Sequence, residues 1–245
     1  MDFYHDLAPH YDQMINFDER FDKELSLFQA ILARYPAASA LDAGCGSGFH
    51  SIVLSRLGLR VSGIDKSEDM LALAGTNARR YQTNPLFIQA DFLTAAEVLG
   101  SKFDAVFCLG NSFVHLLTAD QQMQALNSFK NCLKKGGYLC LQMVNYDKFL
   151  HEKKTALSVK NNAEMRFTRT YTYHAPTITF HIEVKKNGFQ QRISTELYPL
   201  LSQELLALLD KCGFMEIRLF GNLKLEPYKR LISENCCCFC VSGGA

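Results

Sequence analysis

The sequence predicts an α/β fold built on a mostly parallel sheet, and three observations indicate this class. Short apolar runs alternate with amphipathic stretches through the first half of the chain, which is the pattern of parallel strands joined by crossover helices. A glycine-rich turn follows the first apolar run and leads directly into an amphipathic stretch. The chain has 245 residues, 48% of them hydrophobic, which is enough for one such domain with a modest insertion.

The elements of this domain follow one another in order. A helix is predicted from a capping Asp18 to the residues before Pro36, because apolar side chains recur at three- and four-residue spacing. We expect Gly136-Gly137 to stop the last helix before the fifth strand. The predicted strands are Ser39–Ala43, Arg60–Ile64, Leu86–Ala90, Ala105–Leu109 and Tyr138–Val144, and the helices between them are Phe49–Leu57, Glu68–Arg80 and Ala119–Lys134.

The pattern changes after the fifth strand, between Asn145 and Pro199. Two strands rich in Thr, Tyr, Phe and Ile are separated by Ala175-Pro176, and Asn187-Gly188 is a strong hairpin signal. These features predict an antiparallel β insertion rather than another crossover. The two strands are Thr168–Tyr173 and Thr177–Val184.

The chain then returns to the main sheet. A helix is predicted at Ser202–Cys212, with Ser202 as its cap and Gly213 as its terminator, followed by strands at Phe214–Phe220 and Asn235–Val241. The predicted architecture is therefore Rossmann-like, with a seven-stranded, mostly parallel sheet, helices on both faces, and an antiparallel β insertion after strand 5.

Charge and hydropathy limit the partners of the protein. The chain carries 26 Lys and Arg residues against 25 Asp and Glu residues, so no overall field attracts a polyanion such as nucleic acid. It lacks both a basic start followed by an apolar run and any apolar stretch of about 18 residues. We therefore predict a cytoplasmic protein that binds neither nucleic acid nor membrane.

Nine cysteines require a decision between disulfides, a metal site and free thiols. Four of them crowd into Cys236–Cys240, where neighbours on a strand point to alternate faces and cannot bridge one another. The single Cys-x-x-C there has no second pair or histidine cluster to complete a zinc site. We expect buried free thiols and no metal.

The turn after the first strand is the main functional signal, Leu41-Asp42-Ala43-Gly44-Cys45-Gly46-Ser47-Gly48. Alternate glycines permit a tight turn, let a ligand approach the backbone, and direct helix N-terminal amides at it. Asp65 ends the second strand 23 residues after Asp42, where a carboxylate accepts hydrogen bonds from ribose hydroxyls. Asp91-Phe92 ends the third strand. At that position a carboxylate can bind the adenine amino group and an aromatic side chain can cover the adenine ring. Together these positions predict an adenosine-containing ligand.

The glycine spacing argues against a dinucleotide cofactor. A Gly-x-Gly-x-x-Gly fingerprint places its third glycine at Phe49 or at Ser51, depending on the starting pair. The Gly-x-Gly-x-Gly form, following a strand that ends in Leu-Asp, resembles instead the first motif of the class I S-adenosylmethionine-dependent methyltransferases. That resemblance implies S-adenosylmethionine as cofactor and S-adenosylhomocysteine as product.

A closer resemblance lies in Cys108-Leu109-Gly110-Asn111-Ser112-Phe113-Val114-His115-Leu116, which is similar to the corresponding segment of the glycine and glycine-sarcosine N-methyltransferases. It continues in Asn145-Tyr146-Asp147, Tyr198-Pro199 and Pro227-Tyr228, and so spans most of the chain. The resemblance implies one methyltransferase domain over residues 1–245. Residues 1–35 would cover the cofactor, and residues 145–200 would form a substrate cover.

The resemblance also assigns roles to individual residues. Arg20 matches the arginine that holds the methionyl carboxylate, a task suited to a guanidinium fork. Asn111 and His115 are expected near the methyl group and the acceptor, with Tyr198 and Tyr228 at the substrate chamber. The implied cofactor contacts are Tyr4, Tyr11, Arg20, Asp42, Ala43, Gly44, Gly46, Gly48, Asp65, Lys66, Met70, Asp91, Phe92 and Leu109.

One departure bears on the substrate. In glycine N-methyltransferases an arginine that binds the acceptor carboxylate precedes the Asn-Tyr-Asp, and here that residue is Val144. Because an apolar side chain leaves a carboxylate unpaired, Val144 argues against glycine as acceptor unless Arg166 or Arg169 reaches in from the insertion. Otherwise a less acidic or partly apolar amine is the better expectation.

The predicted function is S-adenosylmethionine-dependent methylation of a small molecule, with the nitrogen of an amine or amino-acid-like compound as acceptor. An O-methyltransferase of a small metabolite and a non-catalytic adenosylmethionine-binding regulatory protein are the alternatives. A nucleic-acid methyltransferase would usually carry an Asp/Asn-Pro-Pro-aromatic motif after the fourth strand, where this chain reads Leu109-Gly110-Asn111-Ser112.

Overall fold

The computed structural model describes residues 3–153, 155–161, 165–186 and 188–243. Its strands are β1 (Ser39–Ala43), β2 (Arg60–Asp65), β3 (Leu86–Gln89), β4 (Phe103–Cys108), β5 (Leu133–Val144), β6 (Ala156–Asn161), β7 (Arg166–His174), β8 (Thr177–Lys186), β9 (Phe189–Leu197), β10 (Phe214–Phe220) and β11 (Asn235–Ser242). Its helices are α1 (Phe3–Leu7), α2 (Tyr11–Ile15), α3 (Phe17–Arg34), α4 (Phe49–Arg56), α5 (Glu68–Arg80), α6 (Ala95–Leu99), α7 (Ala119–Cys132), α8 (Tyr146–His151) and α9 (Ser202–Lys211).

The main sheet has seven strands in the order β10-β11-β5-β4-β1-β2-β3. Strands β1 to β5 run parallel, and β11 is antiparallel to both of its neighbours. The predicted Rossmann-like fold class, with an antiparallel insertion after strand 5, is confirmed. The strand order places the carboxyl ends of β1, β2 and β4 side by side, where ligands bind in folds of this type.

Apolar residues pack on both faces of this sheet. Along β4, Val106 joins a core with Leu126 of α7, whereas its neighbour Phe107 joins a second core with Phe28 of α3. Adjacent residues reach opposite cores because successive side chains of a strand point to opposite faces. Each fully buried side chain of this size contributes about 1.5–3 kcal/mol. The two cores hold the ends of the parallel strands in fixed positions.

The insertion forms its own antiparallel sheet, in the order β6-β7-β8-β9, which we call the insertion sheet. One of its faces is apolar and contacts the N-terminal helices. Leu7 and Met14 pack there in a third core with Phe167 of β7 and Val184 of β8. The N-terminal helices therefore lie between the insertion sheet and the main sheet.

Several element boundaries differ from the sequence prediction. Helix α7 ends at Cys132, and Gly136-Gly137 lies inside β5 instead of stopping the helix. The residue preceding α9 is Leu201, whose N–H donates to Glu204, so Ser202 is the first helical residue rather than the cap. Likewise α3 begins at Phe17, so Asp18 lies in its first turn instead of capping it.

The hairpin signal at Asn187-Gly188 falls partly outside the described residues, because Asn187 is not among them. Strands β8 and β9 nevertheless pair in antiparallel register on either side of it, with Lys186 opposite Phe189. The short helices α1, α2, α6 and α8 and the strand β6 had no sequence prediction.

No helix among the described residues has the length and apolarity needed to cross a membrane. All nine cysteines are buried free thiols, as expected from the sequence. Within the described part of the chain, no group of three or more His, Cys, Asp or Glu side chains is placed to hold a metal ion.

Candidate active site

The glycine-rich turn lies at the carboxyl end of β1 and is held by backbone hydrogen bonds. The N–H groups of Gly44 and Cys45 donate to the carbonyl of Ile64 at 2.8 and 2.9 Å. Gly44 has φ +76°, and a Cβ atom there would lie 2.9 Å from Ser112 Cβ and 3.0 Å from the Phe92 ring. Only glycine fits both this backbone conformation and this space, so the turn lies close against Ser112 and Phe92.

A cavity of two lobes opens beside this turn. The Asp65 lobe has a volume of about 440 Å³ and the Arg169 lobe about 260 Å³. The two lobes share five lining residues, which are Phe3, Tyr4, Gly44, Ser112 and His115. Two ligands bound in these lobes would therefore meet beside Gly44.

Polar groups of the Asp65 lobe are fixed by local hydrogen bonds. The Asp65 carboxylate accepts the N–H of Gly46 at 2.8 Å and the N–H of Ser67 at 3.0 Å. The Lys66 ammonium, also in the lining, pairs with Asp91 at 2.9 Å. Beside them lies the ring of Phe92. The lobe therefore offers a carboxylate and an aromatic face next to each other.

Two arginines line the Arg169 lobe, and their surroundings differ. The guanidinium of Arg20 donates to Glu24 at 3.1 Å and to the Ile15 carbonyl at 3.3 Å, and it lies 4.6 Å from the centre of the Phe49 ring. Arg169 projects from the insertion sheet, and its buried Nε has no hydrogen-bond partner among the described residues.

Burial shifts the pKa of other groups in the Arg169 lobe. It lowers the pKa of His50 to about 3, with the Arg20 charge adding to the effect. It raises the pKa of Tyr11 to about 12, helped most by the Asp65 charge. Both side chains line the lobe and are neutral at pH 7.

Asn111 is held rigidly at the end of β4. Its backbone has φ +72°, in the left-handed region that non-glycine residues seldom adopt. The side-chain oxygen accepts the N–H of Val144 at 2.9 Å, and the side-chain nitrogen donates to the Tyr146 hydroxyl at 2.9 Å. The Tyr146 hydroxyl also lies 3.4 Å from the side-chain oxygen, and together these contacts orient the amide.

The N-terminal helix α1 lies across the junction of the two lobes. The Tyr4 hydroxyl is hydrogen-bonded to His115 Nε2 at 3.0 Å, and the Phe3 ring lies 6.3 Å from both His115 and Phe180. Burial lowers the pKa of His115 to about 4, so its imidazole is neutral at pH 7. The aromatic contacts join α1 both to the main sheet and to the insertion sheet.

The structure brings together ten of the residues assigned from sequence. They line the two lobes, and they are Tyr4, Tyr11, Arg20, Gly44, Asp65, Lys66, Phe92, Leu109, Asn111 and His115. Six others lie next to this lining and support it, namely Asp42, Ala43, Gly46, Gly48, Met70 and Asp91. Asp42, for example, is buried and accepts the Ser51 hydroxyl at 2.6 Å; burial raises its pKa to about 6.

Tyr198 and Tyr228 do not line either lobe within the described chain. The hydroxyl of Tyr198 donates to Glu204 at 3.0 Å, at the start of α9. That of Tyr228 donates to Asn145 at 2.7 Å and to Asp147 at 3.2 Å. Both hydroxyls therefore join the segments that flank the insertion sheet, and the structure does not bring them to the cavity.

Sequence reasoning missed several lining residues. His50, Ser112, Ser194 and Thr195 lie in the walls of the cavity, as does Phe3. Ser112 could have been predicted, because it directly follows Asn111 in the segment with the most specific resemblance to the N-methyltransferases. The polar residues of β9 gave no signal, since alternating polar residues are typical of any strand with a solvated face.

The structure also answers the question raised by Val144. Arg169 reaches the cavity, whereas Arg166, three residues earlier on β7, is exposed. Residues three apart on a strand point to opposite faces. Val144 itself lines the same lobe as Arg169.

Comparison with known proteins identifies the class. Residues 40–137 match the methyltransferase domain family. The chain is 30% identical over 227 residues to a glycine/sarcosine N-methyltransferase of Aphanothece halophytica, covering 89% of this chain and 81% of that protein. The protein is an S-adenosylmethionine-dependent methyltransferase, and S-adenosylmethionine is its cofactor.

Solved structures share the fold. An S-adenosylmethionine-dependent methyltransferase from Clostridium acetobutylicum superposes with a TM-score of 0.79 at 17% identity, covering 99% of this chain and all of that one. An amino pentose methyltransferase from Micromonospora echinaspora, solved with bound S-adenosylmethionine, gives 0.70 at 20% identity and covers 95% and 96%. By sequence, the chain belongs to the methyltransferase family that includes the glycine/sarcosine N-methyltransferases.

Proposed function

We propose that this enzyme transfers the methyl group of S-adenosylmethionine to the nitrogen of a small amine. The observation that carries the proposal is the two-lobed cavity, whose lobes meet at Gly44 and His115 and so provide one compartment for each reactant. The similar proteins of Aphanothece halophytica and other organisms, named as N-methyltransferases, support nitrogen as the acceptor atom.

The residues of the cavity fit the cofactor in one orientation. Adenosine occupies the Asp65 lobe, with its ribose hydroxyls on the Asp65 carboxylate and its adenine against Phe92. The methionyl carboxylate lies at Arg20, at the far side of the turn in the other lobe. Gly44 lines both lobes, so the cofactor passes along its backbone from one lobe to the other.

The protein contributes mainly by alignment and by excluding water. When bound, S-adenosylmethionine supplies an electrophilic methyl group carried on a sulfonium. Asn111, fixed by Val144 and Tyr146, offers its side-chain oxygen to an N–H of the acceptor and so orients the nitrogen. Holding two reactants in line in this way lowers a barrier by about 7–11 kcal/mol.

No strong general base is needed, provided the amine binds without its proton. The Arg169 lobe has no Asp or Glu among its described lining residues, so its side chains offer a protonated acceptor amine no counterion. Desolvation favours the neutral amine, whose lone pair is the nucleophile. His115 is itself neutral at pH 7 and adds no charge at the junction.

Methyl transfer measured with labelled S-adenosylmethionine tests this function. The acceptor panel contains amines, amino acids and matched alcohols, and mass spectrometry identifies the methylated atom. We expect N-methyl products, and we expect Asn111→Ala to lower kcat by about 10- to 100-fold, equivalent to about 1.4–2.7 kcal/mol. Its affinity for S-adenosylhomocysteine should stay close to that of the unmodified enzyme.

Asn127→Ala is the matched control, because Asn127 is exposed on α7 and lies outside both lobes. It should leave kcat unchanged. Products methylated only on oxygen would contradict the proposal, and so would cofactor binding without transfer to any member of the panel.

A further inference from the structure

The turn that follows β4 has a backbone conformation that needs support. Gly110 has φ +69° and Asn111 has φ +72°, so two consecutive residues lie in the left-handed region. For a non-glycine residue this conformation costs free energy, and it persists where surrounding groups fix it. Asn111 carries the amide that orients the acceptor in the proposed function. Groups that fix this turn therefore also fix the acceptor-orienting amide.

Gln142 of β5 accepts a hydrogen bond from each of these two residues. Its backbone carbonyl accepts the N–H of Asn111 at 3.2 Å, and its side-chain oxygen accepts the N–H of Gly110 at 2.7 Å. Because a backbone N–H can only donate, the side-chain oxygen of Gln142 faces Gly110 and the side-chain nitrogen points away from it. One glutamine thus holds both left-handed residues against the end of β5.

Asn235 of β11 fixes the orientation of this glutamine. Its side-chain oxygen accepts the side-chain nitrogen of Gln142 at 2.9 Å. In the antiparallel pairing of β11 with β5, Asn235 lies opposite Val144, whose N–H donates to the Asn111 side-chain oxygen. Neither Gln142 nor Asn235 is among the described residues that line the two lobes. In the described chain they therefore act on the reactants through the turn.

We propose that Gln142, oriented by Asn235, is a positioning residue that holds Asn111 in the conformation needed to orient the methyl acceptor. This inference rests on the proposed function, since Asn111 has that task there. Without the Gln142 oxygen, the N–H of the exposed Gly110 can turn to water, and the turn can leave the left-handed region. A displacement of about 1 Å in a group that orients a reactant costs up to about 100-fold in rate.

Two substitutions test the role of the Gln142 side-chain oxygen. Gln142→Met keeps the length of the side chain and removes the amide oxygen, and we expect kcat to fall by about 10-fold. Gln142→Glu keeps an oxygen for Gly110, and the Asn235 amide can turn to donate to it, so kcat should stay within about threefold. In both variants the affinity for S-adenosylhomocysteine, measured by calorimetry, should stay within about twofold of the unmodified value.

A double-mutant cycle shows whether Gln142 acts through Asn111. Each variant is assayed with the acceptor that the unmodified enzyme uses best. In the Asn111→Ala enzyme the amide to be positioned is gone, so Gln142→Met should lower kcat by less than about twofold. A glutamine that only stabilised the fold would change kcat by the same factor in both backgrounds. If Gln142→Met does not fold, Asn235→Ala gives a milder cycle, with a loss of about threefold that disappears in Asn111→Ala.

Ser242→Ala is the matched control. The Ser242 hydroxyl donates to the carbonyl of Lys134 at 2.9 Å, so it joins the same two strands, β11 and β5, at their other end. The variant loses one hydrogen bond between a side chain and the backbone, as Gln142→Met does. It should melt at a lower temperature and keep kcat unchanged in both backgrounds.

The outcomes distinguish this inference from the function beneath it. Equal losses of kcat for Gln142→Met in the two backgrounds would overturn the positioning role and leave N-methylation standing. A loss of cofactor affinity as large as the loss of kcat would also overturn it. Products methylated only on oxygen, with an effect of Gln142→Met that still depends on Asn111, would contradict the proposed function and support the positioning role. Thermal melts establish that each variant is folded.

Discussion

The two lobes of the cavity are built in different ways. The Asp65 lobe has a group of lining residues at or just after the ends of β1, β2 and β3, and hydrogen bonds to backbone N–H groups hold that part in place. The Arg169 lobe combines N-terminal helices, the ends of β4 and β5, and side chains from the insertion sheet. The strand-end residues of the Asp65 lobe are placed by local structure, whereas the N-terminal and insertion residues of the Arg169 lobe depend on long-range packing. Because Ser194 and Thr195 of β9 also line the Asp65 lobe, the insertion sheet contributes to both compartments.

The largest expected effect comes from a substitution that changes the backbone of the Asp65 lobe. Gly44→Ala places a non-glycine residue at φ +76° and a Cβ atom 2.9 Å from Ser112 Cβ. The strain of a left-handed residue, about 1–2 kcal/mol, adds to an overpacking cost of about 1–3 kcal/mol. We expect S-adenosylhomocysteine affinity, measured by calorimetry, to fall by about 100-fold.

Gly58→Ala is the control for this variant. Gly58 has φ +91°, but an added Cβ atom would meet nothing within 4 Å. The backbone strain is similar and the site is untouched, so this variant should lose stability and keep its cofactor affinity. Equal binding losses in the two variants would mean that backbone strain, and not the close contact with Ser112, governs the cofactor site.

A second prediction concerns the wall that the lobes share. The pKa of His115 falls from its ordinary value of 6.5 to about 4 in the folded protein. Below pH 6.5 the unfolded chain therefore binds a proton that the folded chain excludes, and stability declines as the pH falls from 6.5 towards 4. We expect His115 to lower the free energy of unfolding by about 1–2 kcal/mol between pH 7 and pH 5.

Urea unfolding at pH 7 and pH 5 measures this contribution as a difference between variants. Asp42 has the opposite effect on stability. Burial raises its pKa to about 6, so its contribution to the free energy of unfolding increases on acidification and is lost as the pH rises. His115→Gln should lose less stability on acidification than the unmodified enzyme does. His151→Gln, which changes an exposed histidine of α8, should behave like the unmodified enzyme. Identical slopes for all three proteins would contradict the prediction.

The smallest effect is expected outside both lobes. Tyr198→Phe removes the hydroxyl that donates to Glu204, which should cost about 1 kcal/mol of unfolding free energy. Because Tyr198 lines neither lobe, kcat/KM should stay within about twofold of the unmodified value. A kcat loss of tenfold or more with normal stability would restore the catalytic role that resemblance to the N-methyltransferases assigned to it.

The same contrast explains how far the sequence predicts the fold. Strands β1 and β10 and helix α5 have the predicted bounds, because hydrophobic periodicity and flanking turn residues mark them locally. Helices α1 and α2 have five residues each and are too short to be stable alone. They depend on Leu7 and Met14 packing against the insertion sheet, which no local pattern records.

Prediction of the site follows the same division. Gly44, Asp65 and Phe92 each lie at or just after a strand end, so spacing along the chain predicts their position at one edge of the sheet. Arg169 was only one of two arginines that the sequence offered for the acceptor. Choosing it required the pairing register of β7 and β8, which decides which residues share the buried face.

Helix α1 has a consequence for the order of events in a catalytic cycle. Phe3 and Tyr4 line both lobes, so one short helix forms a wall common to cofactor and acceptor. A ligand that improves the packing of this wall in one compartment also completes the other compartment. If one ligand orders this wall, the two binding equilibria are coupled, and reciprocity requires the acceptor to strengthen cofactor binding by the same factor. Such cooperativity would arise within one chain, through the five residues that line both lobes.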